Sequence, residues 1–422
     1  MNGEILRTTR TKCPECNGIS DAVLVESDGR VLFRGTCPEH GPWESIFASD
    51  AALYRKLTEW HPTDVSVPTD GFSRDWSAFA PIATTCTIDV TTRCNLRCPD
   101  CFSDAGAAGD EPTVDEILGF LPPKSPGFNP NISLVGGESI LRKDIDQIIA
   151  GIIAKGFVPR LNSNGKGLLD RELLTRLQKA GLRWIILQFD GFSPETSVRF
   201  RGEDLIEHKI EVIRLLAEYG INVHFAVMVM AGVNDREVGD ILRFAAKTPN
   251  VRRVSFYPRS DVGRNPQAGP VTDLSDMIRA LEQASGGNIT ENDILAHKQL
   301  FDIAFRLTKN PVFRNRNCLL PFIVYSDGNE LIPANRVLLP GLSAKHWKGL
   351  LKLAATLPAL WAFDKGGYSS SFLPVSIENF YATRAFDVTA SANCHQVYLT
   401  RHGYIPFCLY NSFFRDRSGS GC

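Results

Sequence analysis

Cys94, Cys98 and Cys101 stand in a C-x3-C-x2-C run within DVTTRCNLRCPDCF, residues 89–102. Three thiolates on so short a loop can wrap three corners of a cubic iron–sulfur cluster and leave the fourth iron open. A structural zinc site would want four ligands, paired as two knuckles, and the nearby Asp100 and Asp104 are poor substitutes. A second set does have knuckle spacing: Cys13-x2-Cys16 and Cys37-x2-His40. It favours a closed tetrahedral site for zinc or for a rubredoxin-like iron. The simplest role of that metal is to fold a segment too small to build its own core, with electron relay as the sharper alternative.

The eleven cysteines of the 422-residue chain fall in three regions, 13–37, 86–101 and 318–422. In a reducing compartment such clustering favours metal ligation over disulfides. ASANCHQVYLTRHGYIPFCLYN reads as strand, glycine turn and second strand, bringing Cys394 and Cys408 within reach of each other. Cys318 opens a similar segment, CLLPFIVYSDGNELIPANR. Cys86 lies inside a strand-like stretch and reads as core, since free cysteine packs well when buried. His61, His208, His224, His297, His346 and His402 have no ligand spacing to a partner and read as structural.

The elements that must position these residues alternate regularly from about residue 82. TCTIDVT, NISLVGG, VPRLNSNG, RWIILQFDG, INVHFAVMVM and VRRVSFYP are strand-like. Between them DIDQIIAGIIAKG, DRELLTRLQKAG, EDLIEHKIEVIRLLAEYG and NDREVGDILRFAAK carry apolar residues at helical spacing. The pattern predicts an α/β fold with a parallel sheet, open or closed into a barrel, with ligands at the C-terminal ends of the strands. The cysteine triplet follows the first strand and Gly136-Gly137-Glu138 the second, so both belong to that face. Four regions result: a metal module over 1–60 containing two strands round an Asp-Gly turn, a Pro-punctuated linker over 61–81, the α/β region over 82–275, and a mixed region over 276–422. The last holds an apolar run, 347–363, broken by Pro358; a buried core helix is its default reading and a lipid-channel lining the sharper one.

The triplet, with the segments that follow it, resembles the radical S-adenosylmethionine (radical SAM) enzymes. The resemblance implies a partial (β/α)6 barrel of the TIM type. It implies a 4Fe–4S cluster on Cys94, Cys98 and Cys101 whose open iron binds S-adenosylmethionine, and reductive cleavage to a 5′-deoxyadenosyl radical that takes hydrogen from substrate. VGGESIL at 135–141 resembles the motif that holds the methionyl ammonium, implying Gly136, Gly137 and Glu138. LNSNG at 161–165 resembles the segment near ribose and carboxylate, implying Ser163 and Asn164. LQFDGFSPETSVRFRG at 187–202 resembles the fourth-strand pattern, implying Gln188, Asp190 and Arg201 as contacts to cofactor or substrate. One departure is Asp100, where many members place an aromatic residue before the third cysteine.

The cysteines of the last region are similar to those of auxiliary-cluster domains, although Ala334 stands where a cysteine is often found. An auxiliary 4Fe–4S cluster on Cys318, Cys394 and Cys408 is implied, with Cys422, Cys86, His395 or a substrate atom as fourth ligand. CPEC, CPEHG and IPFCLYN, taken with the barrel, resemble the group containing tetraether lipid synthase and dihydropterin methyltransferase-like proteins. That implies alkylation or carbon–carbon coupling at an unactivated carbon of a lipid or small-molecule (pterin-type) substrate, with flavodoxin or ferredoxin as electron donor. A peptide-modifying maturase and a non-enzymatic metal-stabilised binding module are the alternatives.

Net charge of −1, 43% hydrophobic and 22% charged residues are ordinary for a globular protein and give no field for polyanions, so nucleic acid is not expected as a partner. No signal-peptide core or membrane-length apolar run is seen, which predicts a cytoplasmic protein.

Overall fold

The computed structural model describes residues 3–58, 73–106, 111–125, 129–264, 271–316, 318–326, 330–338 and 372–415. Residues 61–72 of the expected linker, the 347–363 run, His61, His346 and Cys422 lie outside the described residues.

The amino-terminal module is a four-stranded antiparallel sheet of consecutive strands, β1 (Glu4–Lys12), β2 (Ile19–Ser27), β3 (Arg30–Cys37) and β4 (Gly41–Ala48). The two strands expected round Asp28-Gly29 are β2 and β3. Both turn residues have positive φ, 52° and 73°, the hand that matches the twist of a two-residue hairpin. Its small core, Leu24, Val31 and Phe33, also takes in Ala385 of the carboxy-terminal region. Asp387 of that region is fully buried, receives Thr9 Oγ1 at 2.7 Å and pairs with Arg7.

The six expected barrel strands are β5 (Thr85–Thr91), β6 (Asn131–Gly136), β7 (Pro159–Ser163), β8 (Trp184–Gln188), β9 (Asn222–Val229) and β10 (Val251–Pro258), parallel and in sequential order. Helices α1 (Ala51–Thr58), α2 (Val114–Phe120), α3 (Ile145–Ala154), α4 (Arg171–Lys179), α5 (Pro194–Arg201), α6 (Ile206–Glu218) and α7 (Val238–Lys247) precede or intervene. In α3 the apolar face Ile145, Ile148, Ile149 and Ile152 is fully buried. Each such side chain contributes about 1.5–3 kcal/mol as an upper bound. Along β9 the alternation of the pleat sends Val223, Phe225, Val227 and Val229 into the core, while His224, Ala226 and Met228 face the barrel interior.

The region after 275 begins with α8 (Leu274–Ala284) and α9 (Glu291–Thr308) and then supplies five strands to the same sheet: β11 (Leu319–Ser326), β12 (Leu331–Pro333), β13 (Phe372–Glu378), β14 (Gln396–Thr400) and β15 (Gly403–Pro406). β13 runs parallel beside β10 and β14 runs parallel beside β5, so both edges of the six-strand barrel are extended by late segments. Gln396 Nε2 donates to Glu378 Oε2 at 2.8 Å, joining those edges through side chains. β13 has no counterpart among the sequence-predicted strands; it pairs on one side with β10, more than a hundred residues away, and on the other with β11.

Candidate active site

The triplet loop leaves the end of β5 and is pinned from two sides. Gly137 N–H donates to Thr91 O at 2.7 Å and Glu138 N–H to Arg93 O at 2.8 Å, which zips the loop after β6 to the segment entering Cys94. From the other side Arg264 donates its backbone N–H to Cys101 O at 3.0 Å and Nη1 to Cys98 O at 2.8 Å. A Cβ on Gly263 would fall 2.2 Å from Cys101 O. Gly263 and Arg264 escaped the sequence reading because they follow β10, with no motif to mark them.

Cys94 and Cys101 are half-buried and Cys98 is buried, packed with Leu96 and Leu205. Leu96 N–H points at Cys94 Sγ at 3.5 Å, and Asn164 Nδ2 at 3.9 Å. Among the described residues, the amino-terminal set is the one group of at least three Cys, His, Asp or Glu whose ligand atoms all lie within 4.8 Å of one another. The wider triplet fits a cluster, in which irons and sulfides stand between the thiolates, and not a single ion.

Glu138 is 1% exposed. Its Oε2 accepts Asn164 N–H at 2.7 Å, while Oε1 has no partner. Burial pushes this carboxyl up to about 7. A buried acceptor left unpaired beside the cysteines fits the ammonium of a bound amino acid moiety, which would restore the charge pairing. Asn164 also reaches Asn95 Oδ1 at 2.8 Å, and Ser163 Oγ accepts Gly165 N–H at 3.0 Å. The strand-four residues meet one another: Gln188 donates to Asp190, and Arg201 grips Asp190 through Nε and Nη2, both at 2.8 Å. Arg201, expected as a contact to cofactor or substrate, places its fork on Asp190 and, with Gln188, lines the interior cavity. Asp190 is itself held by Met228 N–H at 3.0 Å.

Asp100 is buried and paired with Arg199 at 2.7 Å and Arg259 at 3.3 Å. Asp100 and Phe102, on either side of Cys101, both line a cavity of about 370 Å³ that fills the barrel interior. Phe102, Phe380 and Phe407 form one wall, with ring centroids 4.7–5.6 Å apart, and Tyr257 stacks on Phe380 at 5.4 Å. Arg160, Asn162, His224, Arg253, Glu378 and Gln396 line the same cavity. The sequence marked none of these, because their side chains meet only once the barrel closes.

Cys394 stands two residues before β14 and Cys408 two residues after β15, so the hairpin draws them together, and the Cys394 thiol is lowered by its hydrogen bond to Cys408. Cys318 precedes β11, and burial pushes it up to about 12. Their neighbours Leu319, His395 and Phe407 line the cavity. Cys86 is fully buried in the main core.

At the amino terminus Cys13 Sγ lies 3.8 Å and Cys37 Sγ 3.6 Å from His40 Nδ1, and Cys16 Sγ lies 3.8 Å from Cys37 Sγ. The hydrogen bond to His40 lowers the Cys37 thiol to about 6. Thiolates this close repel unless a cation joins them, so chelating the ion is expected to remove hydrogen-exchange protection from β2 and β3. Structural zinc binding of about 10–16 kcal/mol in small domains exceeds what such a core supplies. Equal protection in metal-free protein would overturn this.

Residues 88–245 match the model of the Radical SAM superfamily, and residues 5–49 match that of the HMPTM N-terminal zinc ribbon domain. The chain is 30% identical over 485 aligned positions to 7,8-dihydro-6-hydroxymethylpterin dimethyltransferase of Methanocaldococcus jannaschii, covering 97% of this chain and 94% of that protein. GTP 3′,8-cyclase of Nautilia profundicola is 30% identical over 179 residues, covering 40% of this chain and 55% of the cyclase. Among solved structures, Streptococcus suis SuiB bound to S-adenosylmethionine has a TM-score of 0.41 at 17% identity, over 48% of this chain and 47% of that one. Methylornithine synthase has a TM-score of 0.40 at 14% identity, over 76% and 94%.

Proposed function

The chain belongs to the radical SAM superfamily, and from that membership we propose that it alkylates an unactivated carbon of a reduced pterin. The family implies a 4Fe–4S cluster and S-adenosylmethionine, which together, when bound, supply a 5′-deoxyadenosyl radical able to remove hydrogen from a C–H bond. In this reading Cys94, Cys98 and Cys101 hold the cluster. Glu138, with the backbone of Gly136 and Gly137, takes the methionyl ammonium, and Asn164 fixes Glu138 and approaches Cys94. Asp190 and Arg201 brace the strand-four wall.

The observation that carries the pterin reading is the cavity against the triplet loop. Its aromatic wall suits a planar ring, and its charged and amide-bearing lining suits a nitrogen heterocycle. A lipid chain would leave His224 Nδ1 and Arg253 Nε without partners, at a cost of about 1–3 kcal/mol for each unpaired group. The pterin named for the Methanocaldococcus jannaschii relative fits that description. Cys318, Cys394 and Cys408 hold an auxiliary cluster at the cavity edge in the same proposal, and zinc occupies the amino-terminal site.

The test uses anaerobically reconstituted protein with dithionite, S-adenosylmethionine and 6-hydroxymethyl-7,8-dihydropterin deuterated at its sp3 carbons. Deuterium is expected in 5′-deoxyadenosine, together with a pterin alkylated by the methyl group of a second molecule of S-adenosylmethionine. Deoxyadenosine that forms without deuterium would refute the pterin and leave the radical chemistry standing.

A further inference from the structure

Beside the cavity runs a buried chain of polar side chains contributed by β9, β10, β13 and β14. His224 Nε2 meets Ser255 Oγ at 2.7 Å, and Ser255 Oγ meets Ser376 Oγ at 2.7 Å. Both hydroxyls reach Glu378 Oε1, at 3.0 and 2.9 Å, and Gln396 fills Oε2 at 2.8 Å. Arg253 Nη2 closes the group, 3.3 Å from Ser376 Oγ and 3.7 Å from Glu378.

The direction of these hydrogen bonds follows from the carboxylate, which only accepts. Ser376 Oγ therefore donates to Glu378 Oε1, Ser255 Oγ donates into the Ser376–Glu378 pair, and Ser255 Oγ is left to accept from His224. That assigns the His224 proton to Nε2 and leaves a lone pair on Nδ1. Burial, then the charges of Arg253 and Arg160, hold the ring neutral by pulling its pKa well down. His224 is 4% exposed and Nδ1 has no partner; Arg253 Nε is likewise buried without one.

His224 and Arg253 are register partners on the adjacent parallel strands β9 and β10, and both line the cavity. Neighbouring register positions of the cavity wall thus carry one unpaired acceptor and one unpaired donor. Buried polar atoms in native proteins are nearly always paired, so a pair left open against a cavity points to a ligand that completes it.

We propose that His224 and Arg253, oriented by Ser255, Ser376, Glu378 and Gln396, read the amide edge of the substrate heterocycle. A ring N–H donates to His224 Nδ1, and the adjoining carbonyl oxygen accepts from Arg253 Nε. This rests on the pterin reading above and adds to it the residues that select the ring. It gives His224 a recognition role where sequence spacing marks it only as structural.

The edge can be inverted in the ligand. 2,4-Diamino-6-hydroxymethylpteridine replaces the carbonyl acceptor with an amino donor. Binding of this compound and of 6-hydroxymethyl-7,8-dihydropterin is measured anaerobically by calorimetry on the cluster-loaded protein, for wild type, Arg253→Met and His224→Phe. Wild type is expected to favour the oxo compound by about tenfold or more, the usual worth of a hydrogen bond to a charged donor. Arg253→Met is expected to lose that preference, and both variants to keep S-adenosylmethionine affinity. Loss of preference with intact cofactor binding is a result that general damage to the barrel would not produce. Retained preference in Arg253→Met, or equal binding of both compounds by wild type, overturns the proposed contacts while the pterin reading stands. If wild type binds neither compound, the pterin reading falls and the contacts with it.

Discussion

Alanine at any one of Cys94, Cys98 or Cys101 is expected to bring 5′-deoxyadenosine formation below detection. The loop offers three thiolates and no spare: Asp100 is engaged by Arg199 and Arg259, and Asp104 by Arg264 at 2.8 Å. Losing one corner therefore leaves an iron without a protein ligand, and the two carboxylates of the loop are both held by arginines. The measurement is deoxyadenosine produced from S-adenosylmethionine under a strong reductant, wild type against Cys101→Ala, both reconstituted anaerobically. Cys86→Ala is the matched control, since Cys86 is fully buried in the main core; it is expected to retain the product and to lose only stability. Product from Cys101→Ala at the wild-type level would remove the cluster from that loop.

Alanine at Gly136 or Gly137 is expected to destabilise the protein by about 2–5 kcal/mol and to lower iron retention in the same proportion across the pair. Gly136 has φ of 122°, and a Cβ there would stand 2.1 Å from Thr91 O; on Gly137 it would stand 2.0 Å from Arg93 O. Neither obstacle is a flexible side-chain tip. Both are carbonyls of the backbone that leads into Cys94, so relief of the overlap must move the cysteine loop itself. Gly119, in α2, faces open space, and Gly119→Ala is expected to stabilise by about 0.5–1 kcal/mol. Urea denaturation and iron content of the three variants check this. Gly137→Ala with wild-type stability and iron would show that the loop is not built on that contact.

These two effects differ in how much of them the sequence carries. The thiolates announce themselves by type and spacing, because metal ligation constrains a short loop locally. The glycines were legible as a motif, yet the reason they must be glycines, two carbonyls at about 2 Å, is a tertiary contact between the ends of β5 and β6. The alternation of β5 to β10 was legible for a similar local reason, since a parallel strand buried on both faces and an amphipathic helix each leave a short-range pattern.

The sequence by itself determined the thiolate triplet, the strand and helix alternation of the core and the two knuckles at the amino terminus, each written in short local spacings, while the initiating chemistry and the choice of a partial barrel over an open sheet came from the family resemblance. Only the tertiary structure decided that β13 and β14 extend both edges of the barrel, that Arg201 closes on Asp190, and that His224, Arg253 and Glu378 line one cavity. Their partners lie tens to hundreds of residues apart, and a side chain's role there depends on which strand stands opposite, a relation that no local spacing records.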